Sequence, residues 1–372
     1  MEGFLSFGPD SVTVDLQPLN VLIGPNGSGK SNFVEALAVL RALPKDLPLP
    51  IREGGGVRDW LWKGPPAASK ATIETVFSPD PDTPAVPAIR HRFEFGAQAD
   101  AFIVLDERVE NRDPAPGHPK PFLYFGYERG RPMLNVAGGA RRELRREDID
   151  PTQSILSQRR DPDAYPELAS IADGLGSIRV YRDWSFGPQA PIRHSCRADA
   201  RSDFLSESLD NLPARLAVLK RDPQTKARIL ERLHDLGHGF DDLEVTPEGG
   251  RLQLYLIEGR VSLAAQRLSD GTLRYLALLA ALLDPKPTAS LIVIEEPELG
   301  LHFDMMPKVA ELLEEASSRV QLVVTTHSDA LIDALSDPSS VLVCERGSSS
   351  APGSTATHFR VARTSRGSPR LT

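Results

Sequence analysis

The stretch GPNGSGKS, at positions 24–31, decides how the rest of this 372-residue chain is read. It fits G-x-x-x-x-G-K-[ST] and lies between an apolar, strand-like run at 19–23 and NFVEALAVLRAL (32–43), where Phe33, Val34, Leu37, Leu40 and Leu43 recur at helical spacing before Pro44. Strand, glycine loop and helix in that order are the setting this motif requires. The glycines let backbone N–H groups turn inward around phosphates, and the helix start after Gly29 adds partial positive charge. Lys30 reaches the outer phosphates and Ser31 offers a hydroxyl to Mg2+. Gly24, Pro25, Asn26, Gly27, Ser28, Gly29, Lys30, Ser31 and Asn32 are therefore the expected nucleotide contacts.

A phosphate-bound cation explains a second stretch, LIVIEEPELGLH (291–302), in which four apolar residues run into two adjacent glutamates. A buried strand does not hold unpaired carboxylates in its interior, so the run delivers Glu295 and Glu296 to an edge. Glu295 is the expected metal-side carboxylate, and Glu296 the group that polarises water for attack on the γ-phosphate. RLSDGTLRYLALL (267–279) sets Ser269 and Gly271 just before a helix, where hydroxyl, N–H groups and helix dipole favour an anion. Alone, SDGT also reads as a helix cap. VQLVVTTHSDAL (320–331) ends another buried strand in His327, placed to meet a γ-phosphate or the attacking water.

Around these motifs the chain alternates strands and helices, which implies an α/β fold with a parallel sheet covered by helices. Short strand-like runs at 71–77, 89–95 and 101–109 suit a small antiparallel sheet. The segment from 140 to 236 reads as more helical and charged, beginning with ARRELRREDID and including amphipathic runs at 212–222 and 225–236. RLQLYLI (251–257) returns to strand alternation, 272–284 is a broad-faced helix, and 357–363 is a strand within a Gly/Ser/Pro-rich end. The opening FLSFGPDSVTVDLQPLNVLIG reads as alternating stretches around a Gly-Pro-Asp turn. No internal repeat or sustained heptad occurs.

Composition narrows the classes. Forty per cent apolar residues suffice for a core, and no apolar run approaches the roughly 20 residues of a membrane helix. The N-terminus lacks a signal-peptide pattern, so a cytoplasmic, membrane-free protein is expected. Cys196 and Cys344 lack metal-site spacing and read as structural thiols. A net charge of −8 argues against a uniformly basic nucleic-acid coat while leaving room for a local basic face. The Arg-rich stretches RGR (129–131) and ARRELRRED (140–148) suit a phosphate backbone or a solvated face. YRDWSFGPQAPIRH (181–194) suits base stacking, a subunit surface or core packing, and GGGVRDWLWKG (54–64) a mobile loop or an ordinary connection.

GPNGSGKS, LSDGT, LIVIEEPELGLH and TTHS, in that order, resemble the P-loop, signature, acidic strand with D-loop, and switch histidine of ATP-binding-cassette ATPases. The EEPE-GLH form resembles the branch holding RecF, SMC and DNA-repair heads and OLD nucleases, and within it stand-alone bacterial ATPases of the AAA-type, ABC-like group. The resemblance implies a P-loop NTPase with a mixed sheet and helical subdomain, ATP and Mg2+ as ligands, and a homodimer stacked head to tail around two ATP. Ser269 and Gly271 would then act in trans, and ATP hydrolysis would drive a conformational cycle on DNA or a partner protein, in repair or phage defence. The alternative is a nucleotide switch controlling a partner nuclease or toxin without binding DNA. Long coiled-coil arms and a CxxC hook are not seen, and the residues after Glu345 are too few for a toprim nuclease domain. The expected partition of a single 1–372 domain is an N-terminal lobe 1–139, a helical subdomain 140–250, a C-terminal lobe 251–345, and a strand with flexible tail 346–372. Gln98, Gln153 and Gln158 are candidates for the metal-sensing glutamine.

Overall fold

The computed structural model describes residues 1–78, 87–128, 131–136, 141–236, 239–348 and 355–362. The tail from 363 onward, Ala140 and the first two residues of RGR lie outside the described residues. The chain opens with β1 (Leu19–Ile23) and α1 (Lys30–Ala42), then the short helices α2 (Pro48–Glu53) and α3 (Val57–Trp60). Next come β2 (Lys70–Phe77), β3 (Ile89–Gln98), β4 (Ala101–Asn111), β5 (Leu123–Glu128), β6 (Arg131–Asn135) and β7 (Arg141–Glu143). α4 (Ile155–Gln158), α5 (Pro166–Gly176), β8 (Arg179–Tyr181), β9 (Cys196–Arg197), α6 (Leu212–Leu219) and α7 (Pro223–His234) follow. β10 (Asp242–Glu248), β11 (Arg251–Glu258) and β12 (Val261–Ala264) lead to α8 (Asp270–Leu282), β13 (Leu291–Glu295), α9 (Met306–Ser317) and β14 (Gln321–Thr325). The chain closes with α10 (Asp329–Asp333), β15 (Val341–Ser348) and β16 (Thr355–Val361).

These elements form two compact units that interleave along the sequence. The first comprises Met1–Val14, Pro25–Ile178 and Cys344–Phe359; the second comprises Asp15–Gly24, Arg179–Val343 and the chain from Arg360.

In the second unit β8, β13, β14, β1 and the start of β15 lie side by side in that order, all parallel. β1 and β13 are buried along almost their whole length, as the continuous runs LNVLI and LIVI require of strands covered on both faces. Every residue of α8 from Thr272 to Leu282 is buried, and its Leu273 and Leu276 share one core with Ile292, Ile294, Leu322 and Val324. A helix with apolar residues on every face belongs inside the protein, and α8 carries one buried charge there, Arg274. A smaller antiparallel group, β10-β11-β12 with β9 on β11, completes this unit.

In the first unit β2 to β7 make a six-stranded antiparallel meander. Period-two alternation sends Ile73, Phe93, Phe95, Val109, Phe125 and Leu134 inward. Charges fill the other face: Glu94 accepts from Lys70 (2.9 Å) and Arg92 (2.5 Å), while Glu110 pairs with Arg90 and Arg108. β15 continues into this unit, with β16 beside it.

Two stretches depart from the sequence expectation. ARRELRREDID does not open with a helix: residues 141–143 pair with β6, Glu143 opposite Met133, and Arg131 reaches the Glu143 carboxylate at 3.2 Å. Pairing onto an exposed strand edge outweighs the helix propensity of Arg and Glu. The opening FLSFGPD does not alternate as a strand either. Phe4 and Phe7 bond each other's backbone across Leu5, whose φ is +48°, and both rings are fully buried against Trp60, Phe95 and Phe359. In GGGVRDWLWKG, Trp60 and Trp62 are buried, each with its ring against a glycine (Gly54 and Gly64) where a Cβ would overlap it. The segment is an anchored connection.

Candidate functional site: a phosphate loop and an acidic strand end

The loop between β1 and α1 takes its shape from glycine. Gly24, Gly27 and Gly29 all have positive φ (148°, 77° and 112°), a region that side chains with a Cβ rarely adopt. Gly29 starts α1 with no side-chain cap and no acidic residue in the first turn, the setting in which a helix start favours an anion. Pro25, Asn26 and Gly27 are exposed at the crest, while Ser28, Gly29 and Lys30 are buried. Lys30 Nζ sits 3.3 Å from the Pro25 carbonyl, and Ser31 is exposed on the first turn. The Ser28 hydroxyl is buried without a hydrogen-bond partner among the described residues. A buried hydroxyl without a partner beside a helix start is what a phosphate oxygen would complete.

The loop is braced from behind. Thr357 donates through Oγ1 to the Ser28 carbonyl at 2.7 Å and lies 2.7 Å from Ser6 Oγ, which accepts from Asn32 Nδ2 at 2.7 Å. Cys344 Sγ is 3.3 Å from the same Ser28 carbonyl, and burial pushes its thiol pKa up. A Cβ on Gly29 would collide with Thr357 and Ser6.

In the second unit β1, β13 and β14 end at one edge of the parallel sheet, with Leu22 and Glu295 both level with Thr325. Glu295 is half-buried as the last residue of β13. Glu296 leaves the strand with φ +48°, a left-handed conformation that costs a glutamate about 1–3 kcal/mol and persists only where its surroundings enforce it. Its N–H donates to the Thr325 carbonyl at 2.9 Å, and its Oε1 stands 3.8 Å from His327 Nε2. Glu298 fastens the two strand ends together: its Oε1 accepts from Thr326 Oγ1 (2.6 Å) and from the His327 N–H (2.9 Å). Glu295, in the second unit, carries a carboxylate of the kind that Mg2+ takes as a hard oxygen donor, and Ser31, in the first, carries a hydroxyl of that kind.

A family model described as "AAA domain, putative AbiEii toxin, Type IV TA system" matches residues 19–333. The chain belongs to this family. No curated protein matches it in sequence. Among solved structures it is similar to an SMC head bound to the C-winged helix domain of ScpA, at 17% identity and a TM-score of 0.51, covering 96% of this chain and 94% of that one. The SMC head domain from Thermotoga maritima aligns at 16% identity and a TM-score of 0.47, covering 98% and 97% of the two chains. An SMC head with extended coiled coil bound to the C-terminal domain of ScpA, from Pyrococcus furiosus, aligns at 15% and 0.46, covering 97% and 94%. The fold is thus that of an SMC-head-like P-loop ATPase domain, α/β with sheets and covering helices. Among the described residues no helix is long and apolar enough to cross a membrane.

In this AAA-family chain Ser269 and Gly271 have clear local roles. Ser269 caps α8, accepting from the Thr272 N–H at 3.1 Å, which is the cap reading of SDGT. Gly271 lies against the Gly300 carbonyl, 3.0 Å from where a Cβ would stand. Arg193 holds the turn, with Nη1 donating to the Leu268 carbonyl at 2.7 Å, Nε donating to the Phe186 carbonyl at 3.0 Å, and Nη2 paired with Asp270. Within YRDWSFGPQAPIRH, Tyr181, Phe186, Ala190, Ile192 and Arg193 are buried and pack in the core, while residues such as Asp183, Ser185 and His194 are exposed.

The glutamine candidates separate. Gln158 is spent on Asp150, Gln153 and Ser154, and Gln153 bonds the Leu47 N–H and Asp46, while Gln98 is exposed at the end of β3. Sequence reasoning gave no role to Ser6, Arg193, Glu298 or Thr357. Of these only Glu298 left a signal, as the third carboxylate in EEPE.

Proposed function

We propose that this chain binds ATP with Mg2+ at the 24–32 loop and hydrolyses it, Glu296 acting as the base. The observation that carries this reading is the forced left-handed turn at Glu296, which ends a strand at the same sheet edge as β1 and stands beside His327. Strain held at a carboxylate that ends a buried strand is a mark of a functional site. Gly24 to Asn32 would enclose the phosphates, with Lys30 countering the charge on the outer ones. Ser31 and Glu295 would hold Mg2+, whose chemistry is to neutralise charge on the β- and γ-phosphates. Water attacks the γ-phosphorus, its proton passes to the Glu296 carboxylate, and the bond to the bridging oxygen of ADP breaks. His327, held by Glu298 through its N–H, would orient that water or the γ-phosphate. Ser269 and Gly271 would meet the nucleotide of a second copy in a head-to-tail dimer, and hydrolysis would release that dimer in a cycle acting on DNA or a partner protein, in repair or phage defence.

The test is phosphate release and ATP binding by the wild type and Glu296→Gln. Release lost with binding kept supports the assignment; turnover persisting in the variant refutes Glu296 as base.

A second reading is a nucleotide switch governing a toxin or nuclease partner. The family description names a toxin, and the net charge of −8 together with the paired arginines of β3 and β4 favours a protein partner over DNA. Steeply salt-dependent DNA binding would count for the first reading; ATP-dependent capture of a neighbouring gene product, without DNA affinity, for the second.

A further inference from the structure

We propose that Arg274 is the positioning residue for Glu296, joining the start of α8 to the acidic turn so that the base is held only while α8 is in place. The inference rests on the hydrolytic reading above and deepens it.

Arg274 lies in the first turns of α8 and is buried, an expensive place for a guanidinium unless its surroundings compensate. Its Cζ is 4.5 Å from the Phe186 ring centroid and 5.6 Å from that of Trp184, so aromatic faces cover the cation. Its Nη1 donates to the Glu296 carbonyl at 3.4 Å. That carbonyl belongs to the residue with φ +48°, and it also accepts the Leu299 N–H, at 3.2 Å. The Thr325 carbonyl fixes the amide side of Glu296, and Arg274 fixes the carbonyl side. Both sides must be held for a left-handed glutamate to stay in place.

The contacts continue toward the signature turn. Phe186, under Arg274, gives its carbonyl to Arg193, and Arg193 binds the Leu268 carbonyl and the Asp270 carboxylate. Gly271 and Gly300 bring the two turns into backbone contact, and Gly300, at φ +74°, has Arg274 Nε beside it. One arginine thus touches the turn of the base, and a second touches the turn that starts α8, with a shared phenylalanine between them. A displacement of α8 moves the group that fixes Glu296.

The test uses the full chain and compares wild type, Arg274→Ala and Arg274→Lys, with phosphate release, ATP affinity and thermal stability measured for each. The expected result is a loss in kcat of about 10- to 100-fold for Arg274→Ala, as for a base displaced by a fraction of an ångström, with ATP affinity within about threefold of wild type. Arg274→Lys should lie between the two, because lysine keeps a donor and loses the planar stack. Millimolar guanidinium should restore part of the alanine variant's turnover without changing its ATP affinity. A kcat within about threefold of wild type in Arg274→Ala overturns the proposal and leaves the hydrolytic reading intact. Parallel loss of ATP affinity, stability and turnover, without rescue by lysine or guanidinium, also overturns it, since that is a packing role. No phosphate release from the wild type would remove the hydrolytic reading itself, and this proposal with it.

Discussion

Gly29 carries a constraint that no other residue type can meet. Its φ of 112° excludes a side chain, and a Cβ there would strike the hydroxyls of Thr357 and Ser6. Gly29→Ala should destabilise the fold by about 1–3 kcal/mol and abolish ATP binding, read by thermal denaturation and by titration with labelled ATP. Stability and binding both unchanged would mean that the loop relaxes at no cost. Thr357→Val makes the complementary test, because it keeps the shape of the side chain and removes the hydroxyl that braces Ser28 and Ser6. Losing a buried bond of this kind costs about 1–3 kcal/mol, so a measurable drop in melting temperature is expected, with ATP bound more weakly rather than not at all. The glycines were legible in the sequence because a phosphate loop is a local backbone pattern written in consecutive residues. Thr357 was not legible, since it acts 329 positions away and only the fold brings it behind Ser28.

Elements were legible where one period ran without interruption. The buried runs of β1, β13 and β14 and the largely apolar α8 stand where their hydrophobicity put them, because burial on every side leaves a strand or helix no alternative. β7 was misread for the opposite reason: its three exposed residues have no period, and pairing to β6 decides their conformation. Polar anchors inside the core were equally invisible. Arg215, on α6, is buried with Nη2 donating to Asp284 at 2.5 Å and Nε donating to the Ala280 carbonyl at 3.3 Å, tying α6 to the end of α8. Asp284→Asn removes the countercharge from a buried guanidinium and should cost about 3–5 kcal/mol, read from urea denaturation at neutral pH. The carbonyls of Ser202 and Asp203, which Arg215 also meets, place the expected value toward the lower end. A cost under about 1 kcal/mol would mean that those carbonyls alone satisfy the arginine.

At the scale of the molecule, the four motifs spelled out the ATPase fold, but the interleaving of the two units did not show in the sequence. β1 belongs to one unit and the loop it feeds to the other, and β15 passes between them at Val343, which no local pattern announces. The proposed head-to-tail dimer can be tested at Leu299 and Phe303, which lie just beyond the acidic turn and are 50% and 67% exposed. With ATP and Mg2+, Glu296→Gln should sediment at twice the mass of one chain, because bound nucleotide is retained and the interface stays closed. Without nucleotide it should remain at one. Lys30→Ala should stay at one chain in both conditions, having lost the phosphate contact that couples ATP to assembly. Phe303→Asp in the Glu296→Gln background should return the ATP-bound form toward one chain, and ATP should bind more weakly than to the parent, because a ligand that drives assembly is held less tightly when assembly is blocked. A single-chain mass for Glu296→Gln at saturating ATP, with wild-type turnover intact, would show that one chain completes its own site, and Ser269 would then be a helix cap and nothing more.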